Sequence, residues 1–411
     1  MTSSAPLRVL AVAESDSYLK WAASLLEQLA GNLPPGGVYE VAIPQSPIRP
    51  SLSQIESALS GTTFAGSRPP VLSPAALRRR VDRERPDAVL LACAGPTALA
   101  LQTELARARH RPVILAGIPG IAVPARRKAW NFRSAIDLMV VHSHREVRDY
   151  DAKRRQVGAQ ARVGLARLPF LPGPDGTARA AESAGGAVVF ATQGKVPLLR
   201  EDRLAVLRSL ARLAVARPDL QVIVKTRGVA GEFHTHYEAY HYGELWRELV
   251  GAGEFGGDEL SFAAGSMAVH LRSAAALVTV SSTAALEAVA MGVPLLLVDE
   301  FGISEEMINE VFVGSGCLAS LKSLEAGEFT LPDPAWLVDN YFHPDGDSTW
   351  VADLLELVEQ ARAGALPPLA GRLPARRHRR GVRRQLDRLR LTPLGSSLAR
   401  ARRRAREARQ R

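Results

Sequence analysis

The sequence predicts an α/β protein of two Rossmann-like domains, each with a parallel sheet, followed by a basic C-terminal tail. Three observations predict it. Short β-branched apolar runs alternate with helix-length segments from residue 8 to residue 168, the pattern of a doubly wound parallel sheet. A Pro-, Gly- and Ser-rich break at residues 172–186 interrupts the pattern, which restarts at Val188. Residues 371–411 then carry 16 arginines against Asp387 and Glu407. The 411 residues suit two domains of ordinary size.

In the first half, Arg8 to Ala13 reads as a strand, followed by an acidic loop Glu14-Ser15-Asp16-Ser17 and a helix to about Ala30. No Gly-x-Gly-x-x-Gly follows that strand, which argues against a classical NAD or FAD domain. Residues 34–75 read as irregular, with one strand near Val38–Ile43. Val71–Arg85 reads as a helix, Ala88–Ala92 as a strand, and Gly95-Pro96 opens a helix to Arg109. Strands follow at Val113–Ala116 and Leu138–Val141, then a helix over His144–Lys153, and Arg162–Leu168 closes the half. The expected first domain is 1–171.

After the linker, the second domain spans 187–345. Its strands are expected at Val188–Ala191, Gln221–Lys225, Leu260–Phe262, Leu277–Val280 and Leu295–Val298. Helices are expected at Glu201–Ala216, Tyr242–Val250, Met267–Ser273 and Ala284–Met291, and a further helix at Trp350–Ala363 lies in a closing segment, 346–370. The most informative stretch is 276–300. There a strand ends in Ser281, Ser282 and Thr283, which are helix-capping residues, and Gly292 and Pro294 separate the helix from the next strand. Ligands bind at the carboxyl edge of an open α/β sheet, and free N–H groups there favour a phosphate. With Ser282 as the cap, a capping-box acid would stand at position 285, which is Ala, so Glu287 is not part of a capping box. It lies one turn from Thr283, where a carboxylate can accept from ribose hydroxyls or simply face solvent.

This stretch resembles the donor-binding segment of GT-B glycosyltransferases, which carries a hydroxyl-rich turn, a helix with a Glu, and Gly-x-Pro before the next strand. Ser281, Ser282, Thr283, Glu287, Gly292 and Pro294 match. Over residues 7–345 the element order is similar to an uncharacterised family classed as glycosyltransferases, from high-GC bacteria. The resemblance implies a GT-B fold with two sheets facing across a cleft, the acceptor on the first domain and the donor on the second, and residues 346–370 crossing back. It also implies metal-independent, inverting transfer from a nucleotide-activated sugar, in cell-surface polysaccharide or glycolipid synthesis. Whether hexosyl or sialyl, the sugar is open, and no cofactor beyond the nucleotide-sugar co-substrate is implied.

Other residues bear on that chemistry. Gln193-Gly194-Lys195 follows the first strand of the second domain; Gly194 lets backbone approach a ligand, and Lys195 reads as an ordinary strand-to-helix loop residue or as a phosphate contact. Lys225 and Arg227 end the next strand, where two cations can neutralise a diphosphate leaving group. An inverting transfer needs a base for the acceptor hydroxyl. Asp16, or alternatively His236, fills that role, although Asp16 also suits a helix start. Glu14 reads mainly as structural, and His142 and His144 are weaker candidates. His234-Thr235-His236 lacks a third ligand at standard spacing, so no metal site is expected.

The tail's local charge of +14, out of a net +10, leaves the rest of the chain at −4. The basic character is therefore confined to residues 371–411. Leu386, Leu389, Leu391, Leu394 and Leu398 would form a thin apolar stripe on a tail helix, suited to an anionic membrane surface. No aromatic residue interleaves the arginines, which disfavours nucleic acid as partner. Cys93 and Cys317 lie far apart and form no zinc or disulfide spacing. The N-terminus lacks a signal-peptide pattern and no apolar run approaches a membrane span. The expectation is a cytoplasmic protein, peripheral on the inner membrane face. Two other readings stay open: a GT-B-fold nucleotide-sugar epimerase, and a non-enzymatic nucleotide-sugar or nucleic-acid binding protein.

Overall fold

The computed structural model describes residues 6–46, 48–169, 171, 186–226 and 240–374. The chain forms two units, one within Met1–Phe170 and His343–Arg411, the other within Leu171–Phe342. Arg227, His234, His236, the linker core and the tail beyond residue 374, all with expectations from sequence, lie outside the described residues.

The first unit runs β1 (Arg8–Ala13), α1 (Asp16–Gly31), β2 (Val38–Pro44), α2 (Leu52–Leu59), β3 (Val71–Leu72), α3 (Pro74–Glu84), β4 (Ala88–Ala92) and α4 (Gly95–Leu105). It continues through β5 (Val113–Gly117), α5 (Arg127–Phe132), β6 (Leu138–Val141), α6 (His144–Val157) and β7 (Arg162–Leu165). The sheet order is β3-β2-β1-β4-β5-β6-β7, and every pairing is parallel. Residues of β1 alternate between two cores. Val9, Ala11 and Ala13 face α1 and α2, whereas Leu10 and Val12 face the layer of α3 to α6.

Residues 34–85 depart from the sequence reading in two ways. Residues 34–75 contain α2, whose start is a capping box: Gln54 N donates to Ser51 Oγ at 3.3 Å and Ser51 N donates to Gln54 Oε1 at 2.9 Å. Ile55, Ala58 and Leu59 then bury its apolar face. Val71–Arg85 is split, because Val71 and Leu72 pair with β2 while Ser73 caps a helix opened by Pro74.

The second unit runs β8 (Ala187–Ala191), α7 (Arg200–Ala216), β9 (Gln221–Lys225), α8 (Tyr242–Gly251), β10 (Leu260–Ala263), α9 (Met267–Leu271) and β11 (Ala274–Thr279). It closes with α10 (Ala284–Ala290), β12 (Leu295–Val298), β13 (Leu318–Ala319), α11 (Leu321–Ala326) and α12 (Pro334–Asp339). Its parallel sheet has the order β10-β9-β8-β11-β12-β13. The chain returns to the first unit with α13 (Trp350–Arg362). That helix packs so closely on β7 that a Cβ at Gly164 would lie 2.9 Å from Trp350 Cα, so only glycine fits there. Arg372, counted with the tail from sequence, is packed: its guanidinium reaches buried Asp137 at 2.5 Å.

Candidate functional site

In the second unit the chain leaves β8 toward β9 and returns on the other side of β8 at β11. The carboxyl ends of β8 and β11 therefore border the topological switch point, where open α/β sheets bind ligands. Gln193 follows β8 and Ser281 follows β11. Ser281 N donates to Gln193 Oε1 at 2.8 Å, and Gln193 Nε2 donates to Ser281 Oγ at 3.0 Å. The strands below are tied by Thr279 Oγ1, which donates to Ala191 O at 2.9 Å.

Of the other expected donor residues, Ser281 is buried, Ser282 half-buried and Thr283 exposed. Ala284 N donates to Ser282 Oγ at 3.2 Å. Thr283 holds the N-cap position but makes no capping bond. Since α10 has 7 residues, its dipole is short, and the N–H groups of Ser281, Ser282 and Ala284 already donate to Gln193 Oε1, Thr279 Oγ1 and Ser282 Oγ, so attraction for an anion rests on the turn's hydroxyl groups. Glu287 lies in the first turn of α10, half-buried. Its charge complements the helix start, and repels a phosphate placed beside it, which suits a neutral hydroxyl partner better. Lys225 ends β9, one strand beyond β8, and its carbonyl accepts from Thr192 N at 3.1 Å.

Arg203 escaped the sequence reading. It is 2% exposed on α7 and holds the loop after β8 by its carbonyls. Nη2 donates to Gly194 O at 3.0 Å, Nε to Pro197 O at 3.0 Å and Nη1 to Tyr240 O at 2.6 Å, while the guanidinium lies over the Tyr242 ring. The available signal was its spacing: Arg203 shares the helix stripe of Leu207 and Leu210, so a charge stands on an apolar face.

In the first sheet the switch point falls between β1 and β4. Glu14, 2% exposed, fills it. Thr97 Oγ1 donates to its Oε1 at 2.6 Å, Ser46 Oγ to the same oxygen at 2.5 Å, and Ala94 N to its Oε2 at 2.9 Å. Asp16 begins α1, half-buried, with Ser17 Oγ 3.5 Å away. Nearby, burial raises the Tyr18 phenol although Arg133 pulls it down. Burial, then the Glu14 charge, pushes the Cys93 thiol well up, so that sulfur is inert. His142 is a core residue. Trp21 Nε1 donates to its Nε2 at 2.7 Å, its Nδ1 donates to Ala166 O at 3.1 Å, and burial lowers its pKa to about 4.

Two Asp-x-Asp triplets occur in the chain, at Asp149-Tyr150-Asp151 and Asp345-Gly346-Asp347. Asp151 pairs with Arg154 and Arg155, and Asp347 with His144.

Residues 9–357 match the model of a family described as "Putative glycosyltransferase (DUF6716)". The chain belongs to this family. No curated protein matches the sequence. Solved structures share its architecture. A "putative UDP-N-acetylglucosamine 2-epimerase" from Listeria monocytogenes matches with a TM-score of 0.56 at 14% identity, over 88% of this chain and 98% of that one. S. aureus MnaA, solved with UDP, matches at 0.54 and 11%, over 88% and 98%. The UDP-GlcNAc 2-epimerase of Neisseria meningitidis, bound to UDP-GlcNAc, matches at 0.52 and 10%, over 87% and 100%. At these identities the likeness shows the fold alone: two parallel-sheet Rossmann-like domains of the GT-B class. Among the described residues, no helix is long and apolar enough to cross a membrane.

Proposed function

We propose that this glycosyltransferase-family protein transfers a sugar, with inversion, from a nucleotide diphosphate donor to an acceptor hydroxyl. The observation that carries the reading is the Gln193–Ser281 clasp at the switch point of the second sheet. It holds the loops after β8 and β11 together where a diphosphate is expected, with the Ser282 and Thr283 hydroxyls beside it and Gly194 allowing close approach. Lys225 and Arg227 neutralise the leaving diphosphate in place of a metal, and Ser282, Thr283 and Glu287 complete the donor contacts. As a base takes the acceptor's proton, the acceptor oxygen attacks the anomeric carbon and the bond to the β-phosphate oxygen breaks. Asp16 is the first candidate for that base and His236 the second. A lipid-linked glycan at an anionic membrane surface, reached through residues 371–411, is the proposed acceptor context, in polysaccharide or glycolipid synthesis.

Because two of the fold neighbours were solved with UDP or UDP-GlcNAc, uridine diphosphate sugars are the first donors to test. A thermal-shift screen identifies the nucleotide, since a ligand at 100 times its Kd stabilises by roughly 2.7 kcal/mol. Turnover is then followed with and without acceptors. Consumption that requires an acceptor is expected. Conversion of the donor to its C2 epimer without acceptor would replace this reading with an epimerase.

A further inference from the structure

His144, His343 and Asp347 converge in the first unit from distant points of the sequence. One donor atom from each lies within 4.8 Å of the others. His144 Nε2 donates to Asp347 Oδ2 at 2.8 Å, and the two imidazoles meet edge to face at 5.4 Å. His343 is 4% exposed. Its Nδ1 donates to Pro344 O at 3.1 Å, which fixes the tautomer and leaves Nε2 with a bare lone pair. That Nε2 is buried with no hydrogen-bond partner among the described residues. An imidazole that gives one N–H to a backbone carbonyl and keeps the other nitrogen unprotonated is set up as a metal ligand.

From this geometry we infer a zinc-class site at His144, His343 and Asp347, where the returning chain re-enters the first unit. Two imidazoles and one carboxylate are the donor types of three-ligand zinc sites, whose fourth position is taken by water. Tetrahedral bonds of about 2.0–2.2 Å place ligand atoms about 3.3 Å apart, so side-chain rotations of about an ångström close the set. The backbone carrying the ligands is already held. His144 opens α6 behind the Ser143 cap, where Glu146 N donates to Ser143 Oγ at 3.0 Å. The segment after Asp347 is pinned to β7, with Thr349 N donating to Leu165 O at 2.9 Å and Ser348 Oγ to the same carbonyl at 3.1 Å. The ion would fasten residues 343–347 to the start of α6. This inference does not rest on the transferase reading, since all three ligands lie in the first unit and the proposed donor residues in the second.

The test uses untagged full-length protein, stripped with chelator and titrated with Zn²⁺ alone in a competition assay. One zinc per chain is expected, and Co²⁺ in its place should give the visible absorption of a low-coordinate site. Asp347→Asn and His144→Gln alter half-exposed side chains and keep the test clear if His343→Gln fails to fold. Each should weaken zinc binding by at least the ~10–100-fold that loss of an outer-shell partner costs. The double variant His234→Gln/His236→Gln should bind as the parent does. No saturable binding would overturn the assignment. So would binding that survives both single changes, or that disappears with His234 and His236.

Discussion

The two sheets have the same kind of switch point and fill it in opposite ways. In the first, Glu14 is a buried carboxylate that accepts from Thr97, Ser46 and Ala94. In the second, an uncharged amide and hydroxyl, Gln193 and Ser281, hold the two loops together, and exposed Thr283 and Lys195 stand beside them. A buried charge satisfied from within fixes a fold. A neutral clasp with exposed polar neighbours leaves room for a charged ligand. On the proposed reading, the first edge serves stability and the second donor recognition, and Asp16, two residues from Glu14, acts on the acceptor.

The largest expected effect separates Asp16 from Glu14. If Asp16 is the base, Asp16→Asn lowers turnover by about 10²–10⁴-fold, with nucleotide affinity and urea midpoint close to the parent's. Full activity would move the base to His236. Next is Glu14→Ala, which leaves two hydroxyls and a backbone N–H without their acceptor. Each buried group left unpaired costs about 1–3 kcal/mol, so the loss should be on the order of 3 kcal/mol, read from urea denaturation. A neutral outcome would mean that water reaches the first edge as freely as the second. The smallest effect is that of Gln193→Ala, since its bonds are half-exposed and uncharged. A stability change of about 1 kcal/mol is expected, with nucleotide affinity falling by about tenfold in calorimetry. Unchanged affinity would erase the distinction between the two edges.

Local chemistry made much of this legible in sequence. β9 and β12 match their expected bounds, Gln221–Lys225 and Leu295–Val298, because a short apolar run bounded by turn residues is a local signal. Helix α2 was legible but passed over, since Ser51 and Gln54 form a capping box inside a Pro- and Ser-rich stretch that reads as irregular. Arg203 was half-legible, as a charge on the apolar stripe of α7.

By itself, the sequence determined the alternation of strand and helix, the restart after residue 186, and the hydroxyl turn at Ser281–Thr283, all of which depend on neighbours a few residues apart. Only the tertiary structure decided what those turns face. It joined Gln193 to Ser281 across 88 residues and sealed Glu14 with Thr97 across 83. It also brought His144 to Asp347 across 203. Such pairs arise from the order in which strands pair within a sheet and from the return of α13 to the first unit. No periodicity along the chain encodes either, because strand order is set by packing of whole elements rather than by local backbone preference.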